Sequence, residues 1–246
     1  MNFSRIKIQY ICKAINFIFL FSFYQIACQN TKNNIGKLSN NQSCDSLNVA
    51  PFHGTIFIDP DIVTPEDYST FINLSYNGRA ERIMFDRRVA DWITITPYLF
   101  PANYDDSIQI EIQVNPEFGD LASAKLQAEK FAPVIGQLST ELRKDVKTVW
   151  IHRGNYPFGG GNNNLLIHTD YSELNYEEQG ILEETLIHEA AHTSLDAYHA
   201  ENSLWLDAQK ADCGFISSYA EEHPLREDIA ESFLPYFAIR YRSDRI

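Results

Sequence analysis

Two histidines four residues apart, with a glutamate directly after the first, stand at His188-Glu189-Ala190-Ala191-His192. On an α-helix that spacing is one turn of a single face, so both imidazoles reach one point and can share a Zn2+ ion. Glu189 sits one step round the helix, where its carboxylate meets a water at the metal rather than the metal itself. That makes it the candidate general base. Ahead of the motif, Ile181 to Ile187 is apolar on one side and free of proline, as a buried helix requires.

A zinc site of this kind needs a third protein ligand and an open fourth position. His199 follows on nearly the same stripe, but on a straight helix it lies about 10 Å along the axis from His192 and cannot close the same site. A glycine bend three residues after the second histidine would bring a later histidine back; here Leu195 occupies that place, and His199 is one residue late for the pattern. Asp196 shares the distance problem to a lesser degree and reads better as a support or cap. Further on, Glu227 and Glu231 are one turn apart on a helix whose other side carries Ile229, Phe233, Phe237 and Ile239. Two carboxylates turned toward one point are costly to bury unless a cation receives them. One as zinc ligand and one hydrogen-bonded to a ligand histidine would account for both.

The order HExxH, then Ser218-Tyr219-Ala220, then Glu227-x-x-Ala230-Glu231-x-Phe233 resembles the glutamate-zincin peptidases, most of all the catalytic domain of the anthrax lethal factor group. The resemblance runs from Leu165 to Phe237. It implies His188, His192 and Glu227 as ligands of one catalytic Zn2+, Glu189 as base, Tyr219 as the hydroxyl that stabilises the oxyanion, and Glu231 as support for a ligand. The thermolysin-type third-ligand motif, Asn-Glu-x-x-Ser-Asp, is absent. The activity implied is hydrolysis of a peptide bond in a peptide or protein substrate. A structural or relic zinc site in an exported, non-enzymatic binding protein is the alternative, against which the presence of Glu189 counts.

The elements that must hold these residues follow from periodicity. From Gly54 to Phe118, short β-branched and aromatic runs alternate with turn residues: Thr55 to Ile58, Trp92 to Thr96, and Ile108 to Val114, the last with apolar residues at every second position. At Asp120 the period changes to helical and is expected to hold to about Gly136, with Pro133 as a kink or early stop. Val146 to His152 reads as a buried strand and Gly154 to Asn164 as a Gly- and Asn-rich loop on the cleft rim. Leu165 to His168 reads as a second strand; the resemblance implies that it is the sheet edge along which an extended peptide lies, with His168 at its end as a candidate substrate contact. Asn175 with Glu178 resembles a capping box opening a helix to about Tyr198; further helices are expected over Ser203 to Ala211 and Leu225 to Tyr241. These elements make the fold class α+β, with a β-rich subdomain over 50–119 followed by a domain over 120–246 that the resemblance implies is a zincin-like metallopeptidase domain.

Residues 1–28 read as an export signal: Arg5, Lys7 and Lys13, then an apolar run to Ala27 too short and too interrupted to span a membrane. Cys28 could be lipidated, the one route to a membrane; otherwise the chain is secreted. Residues 29–49 form a polar tether. Loss of the three signal cations takes the formal charge from −13 to −16, which disfavours nucleic acid. Gly159-Gly160-Gly161 lacks the Lys-Ser/Thr of a phosphate loop, so no nucleotide is expected. The mature chain keeps Cys44 and Cys213, a candidate disulfide in an oxidising compartment.

Overall fold

Alternation puts one side of a strand in the core, and Ile110, Ile112 and Val114 are fully buried while Glu111 between them stays half-exposed. The computed structural model describes residues 49–59 and 61–246; the expected signal, most of the tether, Cys28 and Cys44 lie outside them. Its strands are β1 (Phe71–Leu74), β2 (Arg82–Asp86), β3 (Asp91–Ile95), β4 (Tyr98–Tyr104), β5 (Gln109–Val114), β6 (Thr148–His152), β7 (Gly159–Gly161) and β8 (Asn164–His168). Six of them pair as one mixed sheet in the order β1-β4-β5-β6-β8-β7, and β2 and β3 form a separate hairpin. β5, β6 and β8 run parallel, while β1, β4 and β7 are antiparallel to their neighbours.

The longer helices are α1 (Leu121–Ile135), α2 (Leu182–Ala191), α3 (Ser203–Asp212) and α5 (Asp228–Tyr241), with the short α4 (Ser218–Glu222) between the last two. Asp120 caps α1 by accepting from Ser123 N at 2.7 Å, and the helix runs through Pro133 to Ile135. Successive residues of β6 and β8 face opposite ways. Val149, Ile151, Leu165 and Ile167 meet the helices in the main core, whereas Trp150 and Leu166 meet Met84 of the β2–β3 hairpin on the other side. The fold is thus a mixed α/β one, with helices on one sheet face and a hairpin on the other.

Three expectations change. The boundary at Asp120 does not divide the sheet: β4 and β5 pair directly with one another and β5 with β6, so residues 50–119 and 120–246 share a core. Thr55 to Ile58 is an irregular strap, because its amides bond to carboxylates instead of a strand: Ile56 N to Glu231 Oε2 at 3.1 Å and Ile58 N to Glu184 Oε2 at 2.9 Å. Asn175 caps no helix; it lies within a turn of wide helix over Ser172–Glu177, Gly180 breaks the chain with a φ of 70°, and α2 starts afresh at Leu182.

Candidate metal centre

α2 is buried on nearly every side, with Leu186, Ile187, Ala190 and Ala191 in the main core. One side faces β7, and the fit there depends on glycine. A Cβ on Gly160 would stand 1.9 Å from Glu189 O and 3.0 Å from His192 Cβ. The expected rim loop is therefore the edge strand, and β8, expected at the edge, is covered by it. Asn162 and Asn163, with φ of 52° and 57°, turn β7 into β8 as a two-residue hairpin of the type that needs positive φ at both central positions. Thr193 clamps that hairpin to the helix: its Oγ1 accepts from Gly161 N at 2.9 Å and donates to Asn164 O at 2.7 Å. Past Ala191 the helix widens into a π-helical turn over His192–Asp196, a local winding that often re-aims side chains at functional sites.

Glu227 arrives from a different part of the chain, just before α5. Three atoms then converge: His188 Nε2 and His192 Nε2 are 3.2 Å apart, and Glu227 Oε2 is 3.3 Å from the first and 3.1 Å from the second. Ligand bonds of about 2.0–2.1 Å at tetrahedral angles give edges of about 3.3–3.4 Å. His188, His192 and Glu227 therefore fit three corners of a zinc tetrahedron, and all three are buried.

The far nitrogen of each imidazole also faces a carboxylate. His192 Nδ1 is 2.8 Å from Asp196 Oδ2, and His188 Nδ1 is 3.5 Å from Glu231 Oε1. A proton held on Nδ1 leaves the Nε2 lone pair for a metal, the arrangement that fixes and strengthens histidine ligands. Burial alone would lower the pKa of His192; the carboxylates of Asp196 and Glu227 overcome it and raise it to about 10. Burial would raise Glu227, but hydrogen bonds with His188 and His192 hold it far below the usual carboxylate range. Glu231, fully buried, is raised by desolvation even though it accepts the Ile56 amide.

The centre opens on a cleft of about 920 Å³ that runs beside β7, with α2 on one side and the β2–β3 hairpin on the other. Glu189 lines it, half-buried, its carboxylate without a hydrogen bond among the described residues. Tyr219 of α4 lines it too, its phenol held above the usual range by burial and then by the Glu227 carboxylate. α4 is itself tied to the strap, by Ser218 N to Phe52 O at 3.0 Å and Gly54 N to Ser218 Oγ at 2.9 Å. His168 does not reach the cleft: it is fully buried, with Nδ1 at 3.0 Å from Arg153 O and its ring stacked on His152. His199 stays outside the cluster. Sequence reading missed Thr193 and the strap, and the strap carried no signal beyond its β-like composition.

No protein family, no curated protein and no solved structure matches the chain.

Proposed function

We propose that this chain is an exported zinc-dependent endopeptidase with a zincin-like fold. The observation that carries the reading is the nearly equal-edged triangle of His188, His192 and Glu227, with a carboxylate behind each histidine and Glu189, without a hydrogen bond among the described residues, beside it in an open cleft. A site that only braced the fold would have no use for a carboxylate left without a partner among the described residues in the same cleft. The free edge of β7 gives an extended peptide main chain somewhere to lie.

His188, His192 and Glu227 would hold the ion, which when bound acts as a Lewis acid on a water and on the scissile carbonyl. Glu189 takes the proton of the attacking water and returns it to the leaving amine nitrogen. The Tyr219 hydroxyl donates a hydrogen bond to the oxygen that gains negative charge. Glu231 and Asp196 keep the two imidazoles in the tautomer that ligation needs.

The test combines metal analysis of the mature protein with cleavage of a peptide library, with and without a chelator. Wild type should carry about one zinc per chain and lose cleavage on chelation. Glu189→Gln should keep its zinc and lose about 10²- to 10⁴-fold in kcat, whereas Glu227→Ala should lose the metal. Full turnover in Glu189→Gln, or a zinc-free wild type, ends this reading.

A further inference from the structure

The cleft beside the candidate metal centre carries an arginine whose side chain has no partner among the described residues. Arg87 follows β2, in the turn of the hairpin, and lines the cleft half-buried. Its neighbour Arg88 takes the local acids, pairing with Asp86 at 2.7 Å and Glu117 at 2.6 Å. The other arginine of the cleft wall, Arg226, is held by Glu227 Oε1 at 3.0 Å. The Arg87 side chain has no ion pair or hydrogen bond among the described residues. Its head lies over the edge strand, where a Cβ on Gly159 would stand 2.6 Å from Nη2; glycine at that position leaves the guanidinium its place.

A second donor lies on the same wall. Trp150 is 8% exposed, and its indole N–H is buried without a hydrogen-bond partner among the described residues. A partly desolvated guanidinium gains most from a carboxylate, which it can grip with two parallel hydrogen bonds. Beside them stands an aromatic wall: Trp92 meets Trp150 edge-on at 5.4 Å and Phe85 at 5.6 Å, and Trp92 remains 49% exposed.

We infer that Arg87 determines specificity by binding a carboxylate of the substrate, with an apolar or aromatic side chain beside that carboxylate resting on Trp92. The inference rests on the peptidase reading for its substrate class. The chain as a whole is acidic, with a formal charge of −13, so long-range steering opposes such a ligand and the preference comes from the local contact. The carboxylate is either that of an internal Asp or Glu or that of the peptide C-terminus.

The experiment uses the zinc-loaded mature chain and peptides matched in pairs: internal Glu against Gln with an amidated C-terminus, and free acid against amide with internal Gln. Wild type should favour the carboxylate member of one pair by about 30-fold in kcat/KM. Arg87→Gln should bring that ratio to about one, and Arg87→Glu should turn the preference to Lys at the same position. The pair that responds identifies the source of the carboxylate. No preference in wild type, or a preference that Arg87→Gln leaves intact, overturns the assignment. Calorimetric binding of the same peptides to Glu189→Gln separates the two readings. If no peptide is cleaved yet Arg87 still sets a carboxylate preference in binding, the peptidase reading fails and the Arg87 assignment stands; binding with no such preference rejects the assignment.

Discussion

His192 is held by two carboxylates, Asp196 at 2.8 Å from Nδ1 and Glu227 at 3.1 Å from Nε2, and a metal ion must compete there with a proton. Its pKa is raised to about 10, so the imidazole is charged at neutral pH and uptake of zinc would have to displace a proton. Calorimetric titration with zinc near pH 7, in two buffers of different ionisation heat, should report release of about one proton per ion. Affinity should rise by about tenfold per pH unit from neutrality toward pH 9, and uptake without proton release would remove His192 from the ligand set. The spacing of His188 and His192 could be read from the sequence because it is a property of any helix. Asp196, four residues after His192, was legible as a support on the same ground; the π-helical turn over His192–Asp196 was not, because a straight-helix estimate does not contain it.

Strand β7 shows what an element can contribute with no side chain at all. Its glycines let α2 approach until Gly160 Cα all but touches the backbone of Glu189, and a methyl there would fall 1.9 Å from the Glu189 carbonyl oxygen. Gly160→Ala should therefore push the hairpin off the helix. We expect a loss of about 1–3 kcal/mol in stability, measured by urea denaturation, together with weaker zinc binding, since Thr193 and His192 sit on the displaced turn. Gly161→Ala meets no atom within 4 Å but has a φ of 112°; its cost should be backbone strain, with the metal centre left in place. A glycine run in a sequence reads as a loop because glycine favours no regular structure. Only the neighbour that needs the missing Cβ reveals a strand, and that neighbour is distant in sequence. By contrast, α1, α3 and β6 were legible from period alone.

Across the whole molecule, β6 and β8 carry the two layers, and His152 and His168 end them side by side, register partners with stacked rings. Burial pushes His152 down to about 4, so the folded protein holds it neutral while the unfolded chain protonates near 6.5. The unfolded state thus gains protons first as pH falls through that window, and stability on the order of 3 kcal/mol is lost between about pH 6.5 and 4. Urea midpoints near pH 7 and pH 4.5 should differ less in His152→Gln than in wild type; an unchanged acid limb would show that other groups govern it. The single sheet crossing Asp120 was not legible, since pairing between β5 and β6 is a long-range contact that local patterning does not record. The strap at Ile56 adds a consequence of its own. Glu231, which stands behind His188, receives an amide from a residue 175 positions upstream, so the proposed zinc centre is closed by both ends of the domain. A partly synthesised or clipped chain would own the HExxH helix without its brace, and tight zinc retention becomes a certificate that folding has finished.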